Sequence, residues 1–254
     1  MSILCGQPPR GIVVRPIKGV FFDLGGTLFS YRQVPRQHAE LLTSAAARLG
    51  LADARPLKKA YGVALAALSA SYGQKTYYLH RDLFREAFEH CVELVGQRAD
   101  DALTHWYLEA HQTGVFGSLE LKSDCLATLK ALRARGLYVS IVSNIDDDLL
   151  TALVAREALG PLLDHWTSSE EAQSCKPHRG FFEHCRRKSG LPAAEILFVG
   201  DSPEHDIEGA AAMGMQTALV RNVGMPPPLQ AGRASVAPQH TIGQLHELLA
   251  IVGP

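Results

Sequence analysis

The chain has 254 residues, of which 46% are hydrophobic and 20% are charged, and its formal net charge is −1. This balance excludes an intrinsically disordered chain or a polyelectrolyte, and bulk charge indicates no attraction to nucleic acid. The length suits one α/β domain or two small domains, and either would bury a sizeable core.

The cysteines and the apolar segments predict the compartment. There are five widely spaced cysteines and no CxxC pair, which favours a reduced environment over a disulfide framework. No run approaches the roughly 18 apolar residues of a membrane span, and residues 1 to 6 lack the charged region that opens a signal peptide. We therefore expect a cytoplasmic protein with neither a membrane nor a nucleic acid as partner.

The first strand is predicted near the start of the chain. Residues 1 to 16 are rich in proline and arginine and are expected to form a leader. Residues 17 to 22 are mostly β-branched or aromatic, and they end at Asp23, shortly before Gly25 and Gly26. Such a run is typical of a buried parallel strand that passes into a loop.

A long helical insertion follows this strand. Helical periodicity runs from about residue 36 to 116, and strand-like runs then resume at 137–142, 196–199 and 217–220 with helical segments between them. Residues 241–252 indicate a closing helix. The alternation predicts a Rossmann-like, doubly wound parallel sheet. The α/β core would comprise residues 17–32 and 117–254, interrupted by an all-helical domain at residues 33–116.

Polar residues stand where the predicted strands end or in the loops beyond. Taken singly, each fits a turn, a helix cap or a solvated charge. Ligands of open α/β sheets bind beyond the carboxyl ends of the strands, where these residues would converge. Their joint occurrence therefore predicts a single site. Its candidate members are Asp23, Ser143, Asn144, Lys176, Asp201 and Asp206.

These residue types suit phosphoryl transfer. Asp23 and Asp201 could share a Mg²⁺ ion, which prefers carboxylates, phosphate oxygens and water. The other oxygen of Asp23 could attack phosphorus, since an aspartate with an ordinary pKa of about 3.9 is ionised at neutral pH. Groups at Ser143, Asn144 and Lys176 would hold the phosphate oxygens, and Asp206 would support the metal or Lys176. We predict a small phosphorylated substrate.

In these motifs the sequence resembles the haloacid dehalogenase-like (HAD) hydrolase superfamily. The resemblance rests on residues 21–28, 141–144, 176–177 with 181–182, and 199–206, and it spans about residues 17 to 250. It implies an aspartyl-phosphate at Asp23, metal ligation by Asp201 and the Gly25 carbonyl, and metal support from Asp206. It places Ser143 and Lys176 at the phosphate and Thr27 near Asp23, and it makes the insertion a cap that closes over the core.

The motif departs from the family pattern at Gly25. The usual residue two positions after the nucleophile is an aspartate that acts as general acid and then general base. Loss of such a group removes about 10²–10⁴-fold in rate, or about 3–5 kcal/mol of barrier stabilisation. The chain could remain a phosphatase if its leaving group is good or if a cap residue or water supplies the proton.

Two other interpretations stay open. The chain could perform other HAD chemistry, such as phosphonate cleavage with a cap lysine (Lys58, Lys59 or Lys75) or dehalogenation. Dehalogenation needs no Mg²⁺, so the retained Asp201 and Asp206 argue against it. Alternatively, the chain could bind a phosphorylated ligand or a protein without turnover. A protein that had lost turnover need not keep a buried cluster of charges, which is costly when unpaired, so the retained charges weigh against this interpretation.

Within the insertion, residues 74–81 form the most polar and aromatic stretch. His80 and Arg81 could reach a substrate anion or supply the missing proton, and the alternative is that both are helix-surface residues. The acidic run at residues 146–148 is interpreted as structural, because it would complement the dipole of the following helix.

Overall fold

The computed structural model describes residues 16–222 and 235–253, so residues 1–15 of the predicted leader lie outside the described part. Six strands form a parallel sheet in the order β5-β4-β1-β6-β7-β8, and a separate antiparallel pair joins β2 to β3. The strands in chain order are β1 (Gly19–Phe22), β2 (Phe29–Ser30), β3 (Glu120–Leu121), β4 (Tyr138–Ser143), β5 (His165–Ser168), β6 (Ile196–Gly200), β7 (Gln216–Val220) and β8 (His240–Ile242).

Four helices lie between β2 and β3 and pack on one another. They are α1 (Val34–Arg48), α2 (Arg55–Tyr72), α3 (His80–Leu94) and α4 (Asp101–Ser118). Their shared apolar core includes Leu42, Leu57 and Phe88, and the Phe88 ring stacks on that of Tyr107 at 3.9 Å between centroids. The prediction of a helical insertion is confirmed, while its exact boundaries at residues 33 and 116 stay a prediction.

Helices cover both faces of the parallel sheet. Successive side chains of a strand point to opposite faces, so Val20 and Phe22 join one apolar cluster while Phe21 joins another. The first cluster includes residues of α5 (Cys125–Ala134), α6 (Asp147–Arg156) and α10 (Leu248–Ile251). The second includes residues of α8 (Arg179–Ser189) and α9 (Gly209–Ala212), whereas α7 (Ser169–Ala172) directly follows β5. This arrangement confirms the doubly wound Rossmann-like fold.

The structure corrects the sequence prediction at two strands. The polar strand β5 was not predicted, because its residues His165–Ser168 lack an apolar run. The closing helix was predicted to begin at Thr241, but Thr241 and Ile242 belong to the edge strand β8, which pairs with β7. Helical structure follows only from Leu245. No described helix combines the length and the apolar character needed to cross a membrane.

Candidate active site

The loop after β1 folds back tightly on itself. The Gly26 N–H donates to the Phe29 carbonyl at 2.6 Å, and the N–H groups of Leu28 and Phe29 both donate to the Leu24 carbonyl. Gly26 has a φ of +75°, and a Cβ atom there would lie only 1.9 Å from Oδ2 of Asp201. Glycine is thus required at position 26 by both its backbone conformation and the close approach of Asp201.

Two neighbouring residues donate to one oxygen of Asp23. The Ser143 hydroxyl donates to Asp23 Oδ1 at 2.9 Å, and Lys176 Nζ donates to the same atom at 2.6 Å. Ser143 ends β4, which pairs with β1, so the predicted strand ends do meet. No hydrogen bond reaches Asp23 Oδ2 from any residue in the described ranges. That oxygen is therefore the one available to a ligand.

Two further carboxylates complete the site on the other side of β1. Asp201 follows β6, and Asp206 lies in a π-helical turn over Pro203–Glu208, a conformation frequent at functional sites. Asp206 accepts hydrogen bonds from Lys176 Nζ at 2.6 Å and from the Ser202 N–H at 2.9 Å. Carboxylate oxygens of Asp23, Asp201 and Asp206 lie within 4.8 Å of one another, so the three groups could hold one metal ion.

The charges of this buried cluster do not balance within the protein. Three carboxylates face the Lys176 ammonium, and the half-buried Lys122 ammonium acts on Asp201 and Asp23 from beyond ion-pair distance, which leaves a formal surplus of one negative charge when all are ionised. Burial, followed by repulsion from Asp23 and Asp206, raises the pKa of Asp201 to about 8. Burial opposes the charge of Lys176, but the carboxylates of Asp206 and Asp23 outweigh it and raise the pKa of that lysine.

The donor set fits a divalent cation such as Mg²⁺. A divalent ion would offset the surplus charge and the repulsion among the carboxylates, and the ligands are the carboxylate oxygens that Mg²⁺ prefers. The Thr27 hydroxyl is fully buried beside the loop and has no hydrogen-bond partner among the described residues. Because solvent does not reach this hydroxyl, it offers no open contact to a bound phosphate here, and its predicted place near Asp23 is not accompanied by a hydrogen bond to that residue.

Asn144 holds the backbone at Lys176. Its side-chain amide donates to the Lys176 carbonyl at 3.0 Å, and its side-chain oxygen accepts from the Lys176 N–H at 2.7 Å. Both ends of the carboxamide are therefore engaged by one neighbouring residue. The predicted contact of Asn144 with phosphate would have to come from its backbone, while its side chain positions Lys176.

His80 and Arg81 are engaged at the contact between the helical insertion and the core. The Asp146 carboxylate accepts hydrogen bonds from the backbone N–H groups of His80 at 2.8 Å and Arg81 at 2.9 Å. The Arg81 guanidinium also donates to Glu170 at 2.5 Å. The His80 side chain is 12% exposed, with Nδ1 3.6 Å from Asp146. The structure thus brings neither side chain into the hydrogen-bonded cluster around Asp23.

Several residues around the site were missed from the sequence. Lys122 Nζ donates to the Gly26 carbonyl at 2.6 Å and to Asn222 at 2.9 Å, while the Asn222 amide donates to the same carbonyl and to Asp201. Tyr31 was also missed, although its hydroxyl lies 2.1 Å from where a Cβ atom of Gly25 would stand. Lys122 and Tyr31 do not follow a long apolar strand, which was the signal that found Asp23, Ser143 and Asp201. Asn222 stands two residues beyond β7 (Gln216–Val220), so the same signal could have found it.

Comparisons with known proteins show the family of this chain. The model of the haloacid dehalogenase-like hydrolase family matches residues 17–214. The chain is 27% identical over 235 residues to (S)-2-haloacid dehalogenase 1 of Pseudomonas sp. (strain CBS-3), which covers 92% of this chain and 95% of that protein. It is 25% identical over 241 residues to glyceraldehyde 3-phosphate phosphatase of Methanocaldococcus jannaschii, which covers 93% and 97%.

Among solved structures, the chain resembles the HAD-hydrolase YfnB from Bacillus subtilis, which was determined bound to magnesium. The TM-score is 0.72 at 18% sequence identity, and the match covers 94% of this chain and 99% of that one. At this identity the likeness concerns the fold alone. The family model matches most of the length of this chain, which also carries the strand-end carboxylates and the buried lysine described above. This chain therefore belongs to the haloacid dehalogenase-like hydrolase family.

Proposed function

We propose that this chain is a magnesium-dependent phosphatase that acts on a small phosphorylated metabolite. Asp23 would be the nucleophile, and Asp23, Asp201 and the Gly25 carbonyl would ligate Mg²⁺ with support from Asp206. The observation that carries the proposal is the buried cluster of three carboxylates around one ammonium. The mutual repulsion of these carboxylates favours a bound divalent cation, and that preference supports a metal-dependent phosphatase over a metal-free hydrolase.

The chemistry follows from the hydrogen bonds to Asp23. One carboxylate oxygen of Asp23 would attack phosphorus while the ester P–O bond breaks, and the other would ligate Mg²⁺. Ser143 and Lys176 both donate to Oδ1, beside the place of the phosphate, so Oδ2 is the oxygen left free for the metal. The leaving oxygen takes the bonding electron pair, and a phosphoryl group remains on Asp23 until water hydrolyses it. When bound, Mg²⁺ supplies charge neutralisation at the phosphate oxygens. Lys176 would contact the same oxygens, while its contact with Asp206 keeps the ammonium in position.

Dehalogenation is the second candidate. A relative that matches most of the chain is named as a 2-haloacid dehalogenase, and a departing halide needs no proton donor, which agrees with the absence of a side chain at Gly25. The surplus negative charge argues the other way, because a haloacid is itself an anion and would be repelled without a metal. Phosphonate cleavage through a cap lysine has less support, since the exposed Lys75 ammonium lies 3.4 Å from the centroid of the Tyr72 ring.

A paired substrate screen tests the proposal. Phosphorylated metabolites and 2-chloropropionate would be incubated with the protein, with Mg²⁺ or with a chelator, beside an Asp23→Asn variant. We expect phosphate release that requires both Mg²⁺ and Asp23. Metal-independent chloride release would favour the dehalogenase instead. If neither product forms while Mg²⁺ with beryllium fluoride also fails to raise the Tm, the proposed aspartyl-phosphate chemistry is wrong.

A further inference from the structure

The space that a side chain at position 25 would fill is already occupied by Tyr31. A Cβ atom built on Gly25 would lie 2.1 Å from the Tyr31 hydroxyl oxygen and 2.5 Å from its Cζ atom. Both distances are far shorter than any van der Waals contact. The phenol therefore stands where the missing acid/base side chain would begin, and Gly25 and Tyr31 share one volume.

The position of Tyr31 is set by the elements on either side of it. It lies between β2 and α1, in the first connection from the core to the helical insertion, and its carbonyl accepts a hydrogen bond from the Val34 N–H at 3.0 Å. Its ring packs against the same apolar cluster that contains Leu28. The backbone hydrogen bond and the packing of the ring on this cluster restrict where the hydroxyl can lie, as a preorganised donor requires.

The hydroxyl also lies close to the charged centre of the site. Burial, followed by the charges of Asp23, Asp201 and Asp206, raises the pKa of Tyr31 well above its ordinary value. All three carboxylates of the cluster thus act on this phenol. Because a protonated phenol already donates a hydrogen bond, Tyr31 can act as a donor without losing its proton.

We propose that Tyr31 donates a hydrogen bond to the leaving-group oxygen of the substrate, from the space that the side chain of residue 25 would otherwise fill. This inference rests on the proposed phosphatase function. As the Asp23–phosphorus bond forms, the ester P–O bond breaks and its electron pair passes to the leaving oxygen. The Tyr31 O–H stabilises that charge, and water supplies the proton that completes the alcohol.

The dependence of rate on the leaving group tests this role. The parent and Tyr31→Phe would be compared with Mg²⁺ on 4-nitrophenyl phosphate, phenyl phosphate and an alkyl phosphate, whose leaving alcohols are successively weaker acids. We expect Tyr31→Phe to lower kcat by about 10²-fold for the alkyl ester, in the range known for the loss of one preorganised donor. The loss for 4-nitrophenyl phosphate should stay within about threefold, because that leaving group needs little stabilisation.

A structural role for Tyr31 would give a different pattern. An equal loss on all three esters would overturn the donor role, even if Tyr31→Phe were folded. A parent protein that hydrolyses none of them would overturn the proposed function itself, and this inference with it. A parent that is active, with an unchanged leaving-group dependence in Tyr31→Phe, would overturn only the role of Tyr31.

The shared volume has its own test, which does not depend on activity. We expect Gly25→Ala to lower the Tm by roughly 2–10 °C, as overpacking does, and to cost much less in a Tyr31→Ala background. Gly62→Ala is the matched control, because a Cβ atom at Gly62 in α2 meets nothing within 4 Å. An equal cost of Gly25→Ala in both backgrounds would show that the two residues do not compete for the space.

Discussion

The carboxylate of Asp146, in the loop after β4, accepts a hydrogen bond of 2.8 Å from the backbone N–H of His80, the first residue of α3. The preceding residue, Leu79, offers no side-chain cap to this helix. A core residue 66 positions away in the chain therefore performs the capping, and it joins the helical insertion to the loop that follows Ser143.

We expect Asp146→Ala to lower the free energy of unfolding by about 1–2 kcal/mol, the usual cost of losing a helix cap. Chemical denaturation monitored by circular dichroism would measure it. The control is Asp101→Ala, which removes an exposed aspartate from the first turn of α4 and should cost only a few tenths of a kcal/mol. Equal costs for the two variants would contradict a capping role for Asp146.

Lys176 is the only cation that hydrogen-bonds directly to Asp23 within the described residues, and its side chain is 2% exposed. Lys176→Met would leave two buried carboxylates without their partner. We expect it to destabilise the metal-free protein by about 3–5 kcal/mol and to abolish turnover. Arg36→Met is the control, because the Arg36–Glu40 pair lies at the surface, with side chains 76% and 55% exposed. That variant should cost at most about 1 kcal/mol in denaturation experiments.

Asp201→Asn should separate stability from metal binding. The substitution removes a carboxyl group whose ionisation is opposed by burial and by Asp23 and Asp206, so the Tm measured with a chelator should rise or stay unchanged. The increase in Tm that Mg²⁺ produces should shrink or disappear, because stabilisation by a ligand follows its affinity for the native state. Calorimetry with and without Mg²⁺ would show both effects. An undiminished metal-dependent shift would exclude Asp201 as a ligand.

Two histidines in the helical insertion predict a pH dependence of stability. Burial lowers the pKa of His38 to about 4, and burial with repulsion from His38 lowers the pKa of His111 to about 3. Both are neutral in the native state, whereas the unfolded chain binds protons near pH 6.5. The contribution of these neutral histidines to the free energy of unfolding is therefore complete above about pH 6.5. It falls as the pH drops toward 4, by up to about 1.4 kcal/mol per pH unit for each histidine.

His111→Phe isolates this effect. The His111 ring lies 4.3 Å from the Phe84 ring between centroids, so phenylalanine keeps an aromatic ring among aromatic neighbours while removing one titrating group. We expect the slope of unfolding free energy against pH, between pH 6.5 and 4, to be about 1 kcal/mol per unit shallower in the variant. Parallel slopes for variant and parent would show that His111 is not held neutral by the fold.

Much of the site could be predicted from local sequence, for a physical reason. Asp23, Ser143 and Asp201 each end or follow an apolar strand, and parallel strands bring their carboxyl ends to the same edge of the sheet. Once the strands are recognised, the convergence of these side chains needs no knowledge of helix packing. Strands β5 and β8 were not predicted, because they are short and partly polar. Only their pairing with a neighbouring strand makes them part of the sheet.

The partners of individual side chains were decided by tertiary structure. Sequence spacing indicated the absent side chain at Gly25, but the approach of the Tyr31 ring depends on how β2 leads into α1. Asp146 appeared to serve its own helix, yet its carboxylate caps α3 of the insertion. The sequence by itself determined the fold class and the residues at the strand ends, since both follow from periodicity and topology. Only the tertiary structure decided which groups are partners of Asp23 and of the insertion, because the contacts of Ser143, Lys176 and Asp146 join segments far apart in the chain.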